Sequence, residues 1–163
     1  MKRNRFVSLA LGPVLGLALA AGLQGPAGAA APKVDVCSVF KRHAPKDIGL
    51  ALDKALSVTP EFCQAWSAGN KDTLLLRVSS MGKIADQAVS GTRQSAGNGG
   101  KDTVDESGLG TGAWSQRDKR SIEITFAVKD QFATVLLSRD GGFGDADAAK
   151  ARAFAKAVAG ELR

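Results

Sequence analysis

The sequence predicts one α+β domain, with an antiparallel sheet of four to five strands, about three helices packed on it, and one disulfide. Three observations predict this fold class. Several β-like segments follow one another through short turns, two long segments have apolar residues at helical spacing, and the only two cysteines are 26 positions apart. Strands joined by short turns pair antiparallel. At 163 residues and 44% hydrophobic composition, the chain can bury one core. We place the domain at residues 31–163.

The first thirty residues are predicted to be a secretory signal peptide, because they combine a basic start, an uncharged stretch and small residues at a cleavage site. These parts are Lys2, Arg3 and Arg5, then Phe6–Leu23, then Ala27–Ala30. Glycine and proline interrupt the uncharged stretch, which favours a removed signal over a retained membrane helix. No later segment is apolar enough to span a bilayer. We therefore expect a periplasmic or secreted protein.

The elements of the mature chain are predicted from hydrophobic period and turn residues. In the first half they are a helix from Pro45 to about Leu56 that ends at Ser57–Pro60, an extended piece Phe62–Trp66 and a strand Thr73–Ser79. A second helix is marked by Met81, Ile84, Ala85, Ala88 and Val89 and fades at residues 95–100. In the second half they are a strand Ala113–Arg117, a strand Ser121–Val128, its hairpin partner Phe132–Arg139, and a helix from an Asp145 N-cap to Leu162.

Residues 95–112 are predicted to form a long mobile loop, because they are polar and rich in glycine. Asp102, Asp105 and Glu106 in this loop are expected to be solvated. Its end, Gly108–Ala113, fits the loose dinucleotide-binding pattern G-x-G-x-x-A. That pattern requires a helix after the glycines to bind a pyrophosphate, whereas the following residues predict a strand. A close backbone approach explains these glycines better.

Cys37 and Cys63 are predicted to form a disulfide, since an even number of cysteines in an exported chain indicates pairing. A bridge across a loop of this length contributes about 3 kcal/mol in the chain-entropy account. The alternative is a nucleophilic Cys37 with His43 as its base. Nucleophilic catalysis usually needs a third group to orient the base, and the chain has no second histidine.

Other candidate sites are weaker. His43 and Asp47 could supply two metal ligands, but a zinc site needs three or four. We therefore predict no catalytic residue, no metal and no cofactor. Two basic clusters are interpreted as solvated faces, with an anionic surface as the alternative; they are Lys41, Arg42 and Lys46, and Arg117, Lys119 and Arg120. We expect no nucleic acid as a partner, because the chain is predicted to be exported, half of the net charge of +6 lies in the signal peptide, and two tryptophans are too few for base stacking.

The chain resembles small actinobacterial secreted lipoproteins of unknown function and similar extracellular sensor-like domains. The resemblance lies in Cys37-Ser38-Val39-Phe40, in Cys63-Gln64-Ala65-Trp66, in Gly108-Leu109-Gly110 with Trp114 before a hairpin, and in a closing helix. The lipid-carrying cysteine and tyrosine are missing here, so a membrane tether is not carried over. The resemblance implies a disulfide-bearing two-layer domain at the cell exterior that binds a ligand or partner, and it supplies no catalytic residues.

We therefore expect an exported, non-catalytic binding domain for an envelope or extracellular protein or a small ligand. Trp66 and Trp114 are the candidate partner-binding residues, because aromatic side chains dominate such contacts. The binding surface is expected on the sheet face or in the 96–112 loop. The first alternative is an inhibitor or immunity-type protein that blocks another exported protein with this loop. The second alternative is a small hydrolase that uses Asp or Ser.

Overall fold

The computed structural model describes residues 34–44, 48, 56–67, 69 and 71–163. The predicted signal peptide and nearly all of the predicted helix from Pro45 to Leu56 lie outside them. The helices are α1 (Val36–His43), α2 (Ala85–Asn98, preceded by a 3-10 turn Gly82–Ile84) and α3 (Asp145–Glu161). The strands are β1 (Leu56–Thr59), β2 (Phe62–Trp66), β3 (Asp72–Ser80), β4 (Thr103–Asp105), β5 (Trp114–Arg117), β6 (Ser121–Val128) and β7 (Gln131–Arg139).

The strands form one antiparallel sheet in the order β1-β2-β3-β7-β6-β5-β4. The predicted α+β class with one disulfide is confirmed, but the sheet has seven strands rather than four to five. The two additional strands are its edges. Residues 56–59 were expected at the end of a helix, and residues 103–105 in a mobile loop. Both segments are short, so their extended conformation depends on pairing with β2 and β5 rather than on their own residues.

The main core lies on one face of the sheet, under α1 and α3. Inward side chains of β3, β6 and β7 meet the apolar faces of these helices, and the rings of Phe40 and Phe154 pack edge to face with centroids 5.8 Å apart. Helix α1 begins where Asp35 accepts a hydrogen bond from the Ser38 backbone amide at 3.0 Å. That helix occupies a stretch for which the sequence predicted no element.

The Cys37–Cys63 disulfide is confirmed and joins α1 to β2, with the two Cα atoms 5.1 Å apart. At the other end of α1, Arg42 forms an ion pair with Glu161 of α3 at 2.9 Å. The short helix is therefore fixed at both ends, to the sheet and to the last helix.

Helix α2 packs on the opposite face and covers only part of it. A second, smaller cluster lies beneath it, formed by Ala85, Val89, Trp114, Ala127 and Phe132. The helix continues to Asn98, within residues 95–100 where the sequence predicted that it fades. The half of this face on β2 and β3 has no described helix over it.

Helix α3 begins one residue away from the predicted cap. Gly144 is the N-cap and Asp145 is the first helical residue. The Asp147 carboxylate accepts a hydrogen bond from the Gly144 backbone amide at 3.0 Å. The N-cap lies at Gly144 because two acidic residues, Asp145 and Asp147, lie in the first turn, and the carboxylate of Asp147 satisfies the free backbone amide of Gly144.

Candidate functional site

The face of the sheet that carries α2 has a row of half-buried side chains across five strands. Successive residues of a strand point to opposite faces, so paired residues share a face. The pairing aligns Gln64, Leu75, Leu136, Glu123 and Gln116 in this row. We call the half-buried side chains of β2, β3 and β7 on this face the open face.

A groove runs between α2 and the sheet, at the end of this row. It has a cavity volume of about 560 Å³ and continues into a smaller cavity of about 270 Å³. Both cavities are lined by Lys101, Gln116 and Glu123. The wall on the α2 side consists of small residues, namely Ala88, Gly91, Thr92, Ser95 and Ala96. A cavity of this size with a largely apolar wall and few polar groups is typical of a small-molecule site.

The floor of the groove carries a hydrogen-bonded pair. The Gln116 Nε2 atom donates to Glu123 Oε2 at 2.6 Å. Since a carboxylate only accepts hydrogen bonds, the amide nitrogen must face Glu123 and the amide oxygen must point elsewhere. That oxygen is buried and has no hydrogen-bond partner among the described residues. Lys101 is exposed at the mouth of the groove.

The two candidate tryptophans lie in different environments. Trp114 is 1% exposed, and its Nε1 atom donates to the Val89 carbonyl oxygen at 3.2 Å. It forms a wall of the groove, and its expected role as a partner-binding residue stays a prediction. Trp66 is half-buried on β2 at the open face, paired with Thr73. Strands β3, β7 and β6 separate the two tryptophans.

The predicted mobile loop contains an anchored acidic residue. The Glu106 side chain is only 7% exposed, and its Oε1 atom lies 2.7 Å from Arg152 Nε. The Ser115 hydroxyl also donates to Glu106 at 2.7 Å, while Asp105 pairs with Arg93 of α2. The expected solvation of Glu106 is therefore wrong: it joins the end of β4 to α3.

The glycines before β5 permit a close backbone approach, as the sequence predicted. Gly108, Gly110 and Gly112 all have positive φ, at 79°, 133° and 70°. A Cβ atom on Gly110 would lie 2.1 Å from the Ala127 carbonyl oxygen. The segment that follows is strand β5, not the helix N-terminus that a bound pyrophosphate requires.

The basic clusters are partly neutralised by ion pairs. Arg117 hydrogen-bonds to Asp145, which lowers the pKa of that carboxyl group below its ordinary value. The hydrogen bond from Arg42 has the same effect on the pKa of Glu161. Arg120 lies 3.7 Å from Asp140. Lys46 lies outside the described residues.

The candidate metal ligand His43 has its Nε2 atom 3.0 Å from Glu161 Oε1, and Asp47 lies outside the described residues. Across the described part of the chain, no three His, Cys, Asp or Glu side chains are grouped so that they could hold a metal ion. None of the helices in that part has the length and apolar character needed to cross a bilayer.

The sequence did not single out Glu123 or Gln116 as site residues. The alternation of Ser121–Val128 placed Glu123 on the polar face of its strand, which was the available signal. The groove exists because α2 passes over β5 and β6, and no residue pattern in the sequence indicates that path.

No family model, no curated protein and no solved structure matches the chain.

Proposed function

We propose that this protein is an exported, non-catalytic binding domain that takes a small molecule into the groove between α2 and the sheet. The observation that carries the proposal is the groove itself. Its volume of about 560 Å³ lies within the range of roughly 300–1,000 Å³ that ligand sites occupy. Its apolar wall and polar floor offer a ligand both hydrophobic contact and hydrogen bonds.

Export is supported by the disulfide between Cys37 and Cys63, because such bonds persist mainly in oxidising compartments. The predicted signal peptide agrees with this location. Binding rather than catalysis is supported by the hydroxyl groups that line the groove, those of Thr92 and Ser95. Each donates a hydrogen bond to a backbone carbonyl oxygen of its own helix, Thr92 to Val89 and Ser95 to Gly91. His43 is engaged by Glu161 on the opposite face of the sheet.

Filling the groove tests this proposal. Gly91 lies on α2 and lines the groove, and a Cβ atom added there meets no other atom within 4 Å. Gly97 on the same helix has equally open surroundings but does not line the groove. We expect Gly91→Phe to abolish the binding of small molecules that an NMR fragment screen detects on the full chain. Gly97→Phe is expected to retain it. Equal binding by both variants would overturn the proposal.

A protein partner is the second candidate, favoured by the apolar side chains of the open face. Phe62, Trp66, Leu75 and Leu136 are half-buried there, and aromatic residues of this kind often anchor protein interfaces. Such a protein is either one that this chain binds or an exported one that it blocks. The parent chain and Gly91→Phe would both capture it. Trp66→Ala would lose it; capture by Trp66→Ala at the parent level would overturn this candidate.

The expected blocking loop needs a different test from simple deletion. Residues 103–105 form the edge strand β4, and Glu106 is held by Arg152. Deletion of residues 97–107 would therefore damage the sheet as well as remove any blocking surface. Substitution of exposed side chains such as Val104, which is 57% exposed, separates the two effects.

A further inference from the structure

We infer that the groove selects an organic cation, a primary amine or guanidinium on an apolar chain, with Glu123 as its counter-charge. This inference rests on the proposed function, since it assumes that the groove is a ligand site. It adds the chemical class of the ligand and the residue that recognises it.

The charge of Glu123 has no ion-pair partner in the described part of the chain. Its one described hydrogen bond comes from the neutral amide of Gln116. On the face that carries α2, the only other charged side chain of β2, β3, β5, β6 and β7 is Arg77. Arg77 lies two strands away, level with Thr134 and Thr125 rather than with Glu123. A half-buried carboxylate without a counter-charge is costly, and a bound cation would supply one.

The carboxylate of the floor also favours a donor. Glu123 accepts hydrogen bonds only, and the Gln116 Oε1 atom is itself buried, so Glu123 is the acceptor that a ligand meets. Ammonium and guanidinium groups donate several hydrogen bonds and accept none. Charge-assisted hydrogen bonds of this kind are about twice as strong as neutral ones. The small side chains of α2 leave room for an aliphatic stem along the wall.

Lys101 carries the opposite charge in the same groove. Arg117 and Asp118 also line the smaller cavity, where Arg117 is paired with Asp145. Glu123 is half-buried on the floor, whereas Lys101 is exposed at the mouth. An exposed ammonium is well solvated and its field is screened by salt. A ligand anion on the floor would be placed against Glu123 in partly desolvated surroundings, which is unfavourable. The charge of Glu123 on the floor therefore favours a positively charged ligand.

Three probes of equal chain length test the inference on the full chain at neutral pH: hexylamine, hexanol and hexanoate. Calorimetry is expected to show the tightest binding for hexylamine and the weakest for hexanoate. Glu123→Gln keeps the shape and removes the charge, and it should weaken hexylamine binding about tenfold. Lys101→Gln should strengthen it. Asp86→Asn removes the same charge from the first turn of α2, outside the groove, and should leave it unchanged.

The outcomes separate the two levels of the proposal. If hexanol and hexylamine bind equally, and both are lost in Gly91→Phe, the groove is a ligand site and the inference of a cation is wrong. If hexanoate binds most tightly and Lys101→Gln weakens it, the ligand is an anion, and the inference is again wrong. If none of the probes binds at millimolar concentration, the cation inference fails; a fragment screen that also finds no ligand removes the proposed function with it.

Discussion

The Nε atom of Arg152 on α3 lies 2.7 Å and 3.0 Å from the two carboxylate oxygens of Glu106, the residue that follows β4. This contact crosses from the last helix to the segment beside the sheet edge. The Glu106 side chain is 7% exposed and that of Arg152 is 38% exposed, so the pair lies at the boundary of the core. It holds in place a segment whose composition alone would leave it mobile.

Removing the arginine should destabilise the fold. Arg152→Ala leaves a buried carboxylate whose one remaining described partner is the Ser115 hydroxyl. We expect a loss of about 1.5–3 kcal/mol in the free energy of unfolding, measured by urea denaturation. Arg120→Ala breaks an exposed pair at 3.7 Å and should cost less than about 0.5 kcal/mol. Similar losses in the two variants would contradict this role of Arg152.

Opening the disulfide should also lower stability. The double variant Cys37→Ala, Cys63→Ala removes a constraint between residues 26 positions apart and should lower the free energy of unfolding by about 3 kcal/mol. Wild-type protein treated with a reducing agent should lose a similar amount, and the double variant should not respond to that agent. A double variant as stable as the oxidised parent would argue against this contribution.

Gly110 should not tolerate a side chain. In Gly110→Ala, the new Cβ would lie 2.1 Å from the Ala127 carbonyl oxygen, so the loop or β6 must shift. We expect a loss of at least about 2 kcal/mol in thermal or urea unfolding. Gly112 also has positive φ but has open space around it, and Gly112→Ala should cost only about 1 kcal/mol. A larger loss in Gly112→Ala than in Gly110→Ala would show that the close approach to Ala127 does not determine the loss of stability.

Acid should weaken the start of α3 through Asp147. Burial raises the pKa of this carboxyl group, but the hydrogen bonds from the Gly144 amide and from Arg139 outweigh it and leave the pKa below its ordinary value of 3.8. A pKa that is lower in the folded state gives stability that is fully present above the unfolded value and is lost as the pH falls through the folded value.

The free energy of unfolding should therefore decrease as the pH falls below about 4. Asp147→Asn and Arg139→Gln should each reduce this decrease, the first by removing the carboxyl group and the second by removing a partner that lowers its pKa. Urea denaturation at several pH values measures the effect. An unchanged pH dependence in both variants would exclude Asp147 as a cause of the loss of stability in acid.

The two tryptophans should respond differently to a quencher. The chain has no others, so Trp66→Phe and Trp114→Phe each leave one reporter. With Trp114 at 1% exposure, the Trp66→Phe variant should emit at shorter wavelength and resist acrylamide. The Trp114→Phe variant should be quenched more readily, because Trp66 is half-buried. The opposite result would restore Trp114 as a candidate surface residue.

The sequence predicted the elements whose residues carry their own signal. Alternation from Ser121 to Val128 and helical spacing up to Leu162 reflect the burial that forms these elements, so β6, β7 and α3 were found within a residue or two. The prediction failed where pairing rather than composition determines the conformation. Strand β4 contains Val104, which is exposed, and it is extended because it pairs with β5.

The candidate site was less predictable than the fold. Strand period places Glu123 on an outer face, but the meeting of Glu123 with Gln116 depends on the register between β6 and β5. Trp114 was predicted as an anchor because aromatic side chains dominate partner contacts. The path of α2 over β5 buries it instead, and helix direction over a sheet is a property of tertiary packing.

The central place of β3 beside β7 has a consequence for the order in which the molecule forms. Asp72–Ser80 pairs along its whole length with Gln131–Arg139, so the middle of the sheet joins segments far apart in the chain. Strands β1 to β3 on one side and β4 to β7 on the other can form hairpins early. The pairing of β3 with β7 can form only after β7 has been synthesised. Such long-range closure slows folding. Until it occurs, the apolar sides of Leu74 and Leu76 remain uncovered, and the half-finished chain is most vulnerable to aggregation and proteolysis.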